Sequence, residues 1–245
     1  MKTYVIGDIH GAYKALKQVF ERSPFDPEKD QLIFLGDVAD GWSEVPECVE
    51  LLMTCKNLIA VRGNHDWWCW EWMQWGIAPQ MWLPQGGQVT HDAYKAQPEL
   101  IPKHREGFFS KQVPFYHDKD NDRVYVHGGY VDPGGIGHDD ADTYMWDREL
   151  WHIAMSGHAS MRSGYSDQRM PRRLRPHKEI FVGHTSTTMW VKDTPMNKCN
   201  VWNLDTGAGW DGKLSIMDVE SKEFWQSDKT EDLYPEGGRK RRSGR

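Results

Sequence analysis

Five short segments of this chain carry side chains that bind divalent metals. They are Gly7-Asp8-Ile9-His10-Gly11, Gly36-Asp37-Val38-Ala39-Asp40, Gly63-Asn64-His65-Asp66, His127-Gly128-Gly129 and Gly183-His184-Thr185. Each offers a carboxylate, an imidazole or an amide beside a glycine that lets the backbone turn sharply. Donors of mixed oxygen and nitrogen without thiolate suit manganese, iron, zinc or nickel better than calcium or magnesium alone. Asp8, His10, Asp37, Asn64, His127 and His184 are enough for two such cations if one carboxylate bridges them. A pair of cations about 3.5–4 Å apart can clamp a phosphate and lower the pKa of a shared water. Taken singly, each motif has a plainer explanation, because Asp or Asn after a strand is commonly a helix cap or turn residue. Five of them in succession are harder to explain as caps.

The chemistry requires elements that bring these segments together. Lys2 to Ile6, Gln31 to Leu35 and Asn57 to Val61 read as strands, each running into one of the segments. Tyr13, Leu16, Lys17 and Phe20, and then Val45 to Met53, follow a helical spacing between them. That is a strand-helix-strand-helix-strand unit with short connections, the mark of a layered α/β fold. A helix is expected from Asp66 through Trp75, a loop from Gly76 to Gly87, and broken helix from Ala93 to Phe109 with interruptions at Pro98 and Pro102. Arg123 to Val126 and Glu179 to Val182 read as strands, Thr143 to Met155 as one helix, and Ser156 to Pro176 as a long polar loop. Val201 to Leu204, Lys213 to Val219 and Phe224 to Gln226 suggest a closing antiparallel meander. In open α/β sheets ligands sit at the carboxyl ends of strands, where these segments lie.

The 245 residues are enough for one large domain, placed at residues 1–236, followed by a short basic tail at 237–245. The tail carries +5 in a chain of net charge −6, which leaves −11 for the rest. An acidic body disfavours a grip on nucleic acid through phosphates and favours concentration of cations. The tail itself is expected to be a solvated terminus, with nucleic-acid contact as its sharper alternative. With 38% hydrophobic and 27% charged residues, no apolar run of membrane-spanning length and no signal-peptide layout at Met1 to Ile9, a cytoplasmic protein without a membrane partner is expected. Cys48, Cys55, Cys69 and Cys199 form no C-x-x-C pair and read as reduced, mostly buried thiols.

The ordered set GDIHG, GDVAD, GNHD, HGG and GHT resembles the calcineurin-like metallophosphoesterases. More narrowly it is similar to the phosphoprotein-phosphatase branch that includes the phage lambda protein phosphatase. The resemblance runs from Met1 to about Glu220 and includes Asn203-Leu204-Asp205-Thr206-Gly207. It implies a four-layer α/β architecture, a two-sheet β-sandwich flanked by helices, in a bacterial or phage-infected cytoplasm. It implies a first cation on Asp8, His10 and Asp37, and a second on Asp37, Asn64, His127 and His184, with manganese the first choice. His65 would protonate the leaving oxygen, Asp40 would orient His65, and Arg62 and Arg148 would hold the phosphate oxygens. A planar guanidinium suits that task because its fork matches phosphate bidentately. A metal-bridging hydroxide would attack phosphorus in line, with inversion and no phosphoenzyme.

Two departures from the family pattern stand out. Gly41 occupies the position where an arginine usually follows the aspartate, so one phosphate contact is missing unless Arg162, Arg169, Arg172 or Arg173 replaces it. Asp66 replaces the usual glutamate, keeping the charge with a shorter reach. Trp67, Trp68, Trp70, Trp72 and Trp75 crowd into nine residues; helical spacing favours core packing over an aromatic platform for a base or a phosphorylated aromatic side chain. The expected substrate is a phosphorylated protein bearing phosphoserine or phosphothreonine, with phosphotyrosine as an extension. The alternative is a small nucleotide phosphoester, either a dinucleoside tetraphosphate or an RNA 2′,3′-cyclic phosphate. A non-catalytic interaction module is the third class, and it would be marked by lost ligands or a lost His65.

Overall fold

The computed structural model describes residues 1–162 and 170–235. The chain runs β1 (Thr3–Ile6), α1 (Tyr13–Arg22), β2 (Gln31–Phe34), α2 (Val45–Met53), β3 (Asn57–Ala60) and α3 (Asn64–Trp75). It continues through α4 (Gly87–Ala96), α5 (Leu100–Gly107), β4 (Phe115–Asp118), β5 (Arg123–Val126), α6 (Ala141–Trp146) and α7 (Glu149–Arg162). It closes with β6 (Glu179–Val182), β7 (Met196–Lys198), β8 (Val201–Asn203), β9 (Ser215–Asp218), β10 (Phe224–Gln226) and α8 (Thr230–Leu233). Two five-stranded sheets result, in the orders β10-β9-β1-β2-β3 and β4-β5-β6-β8-β7. β1, β2 and β3 are parallel, as are β5, β6 and β8, while the other strands pair antiparallel.

Strand periodicity sorts the side chains into three apolar layers. From β1, Tyr4 and Ile6 face helices α1 to α4 while Val5 faces the other sheet. Ile33 and Leu35 join Val5 in that inter-sheet layer, where Tyr125 of β5 stacks on Phe181 of β6 at 4.8 Å. Val124, Val126, Ile180 and Val182 turn outward to meet Leu150, Trp151 and Ala154 of α7. The inner strands β1, β2, β5 and β6 are largely buried on both faces, which is why they read as continuous β-branched and aromatic runs. The expected helix-sheet-sheet-helix sandwich is the fold observed. Cys48, Cys55 and Cys69 are buried and all four cysteines are free thiols, as expected.

Several expected elements are revised. Val201–Asn203 does not join a meander with the two last strands. It lies in the second sheet, parallel to β6, while only β9 and β10 form an antiparallel hairpin. β4 and β7 went unrecognised because both are short edge strands, each following a proline, with polar residues on the exposed side. The helix expected over Thr143 to Met155 is two helices. Asp147 is extended at the break, and its carboxylate caps α7 by accepting the Leu150 N–H at 2.9 Å. Pro98 separates α4 from α5 as expected, but Pro102 lies in the first turn of α5, where the missing N–H costs no helical bond. The loop expected from Ser156 begins as the end of α7. The side chain of Arg162, Arg169 and the basic tail lie outside the described residues. Among the described residues no helix is long and apolar enough to cross a membrane.

Candidate metal centre and active site

The carboxyl ends of both parallel strand sets open into one cavity of about 270 Å³. Asp8, His10, Asp37, His65, Arg148 and His184 line it. The backbone here is held in unusual conformations. His10, Asp37, Asp40 and His184 all have positive φ, half of the eight non-glycine residues that do so among those described. Each such residue costs on the order of 1–3 kcal/mol unless its surroundings hold it. Asp66 holds much of it. Its carboxylate accepts the Asp37, Val38 and Ala39 amides at 2.8–3.0 Å and the Gln112 amide at 2.7 Å. Burial first, then the charge of Asp37, raises the Asp66 carboxyl to about 7. Asp66, read from sequence as a shortened glutamate, thus fixes the loop that carries Asp37. Two glycines permit the close approach of strands and ligands. A Cβ on Gly63 would lie 2.0 Å from Asp37 Oδ1, and one on Gly183 would lie 2.2 Å from Asp8 Oδ1.

The six expected metal donors converge. Asp8, His10 and Asp37 form one group and Asp37, His127 and His184 another, with ligand atoms in each lying within 4.8 Å of one another. His10 Nε2 stands 4.0 Å from Asp8 Oδ2 and 3.9 Å from Asp37 Oδ2. His127 Nε2 stands 3.2 Å from Asp37 Oδ2 and 3.2 Å from Asn64 Oδ1. Two of these imidazoles are aimed by their other nitrogen. His10 Nδ1 donates to the Ala39 carbonyl at 2.9 Å, and His127 Nδ1 donates to the Leu35 carbonyl at 2.8 Å. That is the outer-shell arrangement that orients a ligating histidine. His184 Nε2 is buried without a hydrogen-bond partner.

The electrostatics agree with a cation site. Burial first, then the Asp205 charge, pushes the Asp8 carboxyl well above its ordinary range. Burial acts the same way on Asp37, but His127, His65 and His10 together hold it well below that range. Burial pulls His127 down, yet Asp37 and Asp8 overcome it and carry the imidazole up to about 9. Burial, with His127 and Arg148 nearby, drives His184 well below its ordinary value, so it is a neutral donor. A cavity that stabilises a proton on one imidazole and leaves another with an unused lone pair suits divalent cations in place of that proton.

His65, in the first turn of α3, sits against the cavity with Nδ1 2.5 Å from Asp40 Oδ2. Its backbone N–H donates to Asp37 Oδ1 at 2.9 Å, which ties it to the metal group. Asp40 is fully buried and has further partners that sequence gave no reason to suspect. Trp82 Nε1 lies 2.8 and 2.9 Å from its two oxygens, and Thr90 Oγ1 donates to it at 2.9 Å. Gly41, with φ of 81° and His10 Cβ 2.9 Å from where its own Cβ would be, occupies a backbone that disfavours the family's arginine.

The two expected phosphate-binding arginines part company. Arg148 lines the cavity, anchored through Nη1 to the His184 carbonyl at 2.7 Å and Thr185 Oγ1 at 3.1 Å. Arg62 is not among the residues lining it. Its Nη2 donates to the Gln112 carbonyl at 3.1 Å and its guanidinium lies over the Trp67 ring at 5.0 Å. Arg173 is no substitute either, because it is buried and bonded to Asp147 and the Tyr130 carbonyl. Asp205 was missed. It follows β8, lines the cavity, and is raised to about 6, chiefly by burial. The signal was present in the Asn203-to-Gly207 segment, but the strand before it was assigned to the wrong sheet.

One further group, His117, Asp122 and His177, has the composition of a metal site but lies at the opposite ends of the strands. His177 Nε2 accepts the Ile136 N–H at 3.0 Å, so Nδ1 carries the proton and donates to Asp122 Oδ1 at 3.1 Å. The group is a hydrogen-bonded turn.

Two parallel strand sets delivering carboxylates and imidazoles to one seam define a metallophosphoesterase architecture. The chain belongs to the calcineurin-like phosphoesterase family, whose pattern matches residues 1–187. It is 22% identical to the symmetrical bis(5′-nucleosyl)-tetraphosphatase of Actinobacillus pleuropneumoniae serotype 3 (strain JL03), over 94% of this chain and 99% of that protein. It is 25% identical to serine/threonine-protein phosphatase 1 of Salmonella typhimurium, over 89% of this chain and 91% of that protein. Among solved structures, a metallophosphoesterase from Sphaerobacter thermophilus shares the fold with a TM-score of 0.58 at 17% identity, over 96% and 94% of the two chains.

Proposed function

We propose that the chain hydrolyses phosphate esters or anhydrides with two divalent cations, one on Asp8, His10 and Asp37 and the other on Asp37, Asn64, His127 and His184. The observation that supports this most is that Asp37 belongs to both donor groups. Manganese is the first choice, with iron, zinc and nickel compatible with the same donors. When bound, the cations would neutralise phosphoryl oxygens and make water nucleophilic at neutral pH. Arg148, which lines the same cavity, holds a phosphoryl oxygen. His65 donates Nδ1–H to Asp40, which directs Nε2 into the cavity to protonate the leaving oxygen. Because no side chain is asked to take the phosphoryl group, hydrolysis inverts configuration at phosphorus.

For the substrate we put a nucleoside polyphosphate first, supported by the tetraphosphatase relative that this chain matches along nearly its whole length. The phosphoserine or phosphothreonine reading stands second, supported by the Salmonella phosphatase. Manganese-loaded protein offered diadenosine tetraphosphate, a phosphopeptide and a cyclic-phosphate RNA in parallel decides between them. Turnover of the dinucleotide is expected. Turnover of the phosphopeptide alone would reverse the order, and turnover of none by metal-loaded protein would overturn both.

A further inference from the structure

The tryptophans that crowd the sequence around α3 divide in two in space. Trp72 and Trp82 are buried in the helix-side core. Trp68 instead stands edge-on to His65 at 5.2 Å, and packs against Trp146 from α6 at 5.2 Å. Trp146 stands edge-on to His184 at 6.0 Å. An aromatic wall therefore runs from the leaving-group acid to a metal ligand. Its outer member, Trp146, is 41% exposed. The chain turns two residues later to deliver Arg148 to the cavity, so the exposed indole and the phosphate-facing guanidinium share one short segment.

Trp146 packs on Trp68 and on His184 beside the cavity and leaves the rest of its ring to solvent, where a ligand's base could cover it. Indole faces commonly take up nucleobases, and such stacking tolerates any base. We propose that Trp146, backed by Trp68, is the stacking face for the nucleobase on the leaving side of the scissile phosphate. This rests on the nucleotide reading above. The position of the ring decides between aromatic ligands. Trp146 flanks the cavity without lining it. An aryl group bonded directly to the leaving oxygen would lie inside, against His65, whereas a base separated from that oxygen by ribose, alone or with further phosphates, reaches the rim. Phosphotyrosine therefore gains nothing from Trp146.

Calorimetric titration of manganese-loaded protein with the non-hydrolysable methylene-phosphonate analogues of AMP, ribose 5-phosphate and phosphotyrosine, called below by their parent names, tests this without turnover. AMP should bind about tenfold tighter than ribose 5-phosphate. Trp146→Ala should remove that difference, Trp146→Phe should keep most of it, and neither should alter phosphotyrosine binding. Equal binding of AMP and ribose 5-phosphate by the unaltered protein, or an AMP preference that survives Trp146→Ala, overturns the proposal. So does a parallel loss for all three ligands, which would make Trp146 a support of the cavity. Failure of the nucleotide reading shows separately, as absent hydrolysis of diadenosine tetraphosphate by the unaltered enzyme.

Discussion

The two sheets contribute to the site in different ways. The first delivers its groups on tight loops after β1, β2 and β3, with three positive-φ residues and the carboxylates Asp8, Asp37 and Asp40. The second delivers His127 and His184 from the ends of β5 and β6, with Asp205 after β8. The carboxylates come mainly from the first sheet, while the imidazoles are shared, His10 and His65 from the first and His127 and His184 from the second. Neither sheet alone holds a full donor set for the Asp37, His127 and His184 group, so cations would reinforce a seam that otherwise rests on apolar contact and a few hydrogen bonds, such as His127 Nδ1 to the Leu35 carbonyl. The lesson is that metal affinity and sheet packing are coupled here, since a site preformed by folding adds its binding free energy to stability.

Substitutions can break or sharpen that contrast. Asp37→Ala removes the one carboxylate common to both groups and should cost the most, roughly a thousandfold or more in kcat, given several kcal/mol from cation chemistry and a tenfold change per 1.36 kcal/mol. Steady-state rates at saturating manganese read this. Arg148→Ala, on the side of the second sheet, should cost about 100- to 1,000-fold in kcat/KM, as loss of a preorganised donor does. Arg62→Ala should stay within about tenfold, because Gln112 and Trp67 hold that guanidinium off the cavity. An equal loss for both arginines would contradict the geometry. His65→Ala should lower hydrolysis of an alkyl phosphate by about 100-fold while sparing p-nitrophenyl phosphate, whose leaving group needs no proton. Trp82→Phe removes the bifurcated indole N–H bond to the two Asp40 oxygens and should cost only a few-fold, about 1 kcal/mol. Its signature should be a shifted acidic or basic limb in the pH-rate profile for the alkyl substrate. A merely structural role would leave that limb in place.

The pH dependence follows from His127. Without metal its imidazole is held up to about 9, so near neutral pH the folded apo chain carries a proton there. A cation must displace that proton, so manganese affinity should rise with pH through neutrality and level off above about 9. Isothermal titration in buffers of different ionisation heat measures the released proton directly. Affinity independent of pH between 6 and 9 would remove His127 from the donor set.

Most of the fold was legible because strands buried on both faces leave continuous apolar runs, and because glycines punctuate their ends. The six donors could be read for the same reason, since each directly follows such a run. What escaped depended on contacts between distant residues. Trp82 and Thr90 reach Asp40 from 42 and 50 positions away, with no local pattern to announce it. Asp205 was hidden by the misplaced strand before it, and the break at Asp147 by an apolar spacing that runs through it. Arg62 looked equivalent to Arg148 in sequence because a charge gives no direction. Only the packed positions of Trp67 and Gln112 distinguish them.

Cation counting tests the central claim most directly. Native protein equilibrated with manganese, freed of excess metal and analysed by elemental mass spectrometry alongside Asp37→Ala should hold two ions per chain, with the variant holding none or one weakly. One ion or none in the native chain, or two retained by the variant, would contradict a bimetal centre built on a shared carboxylate.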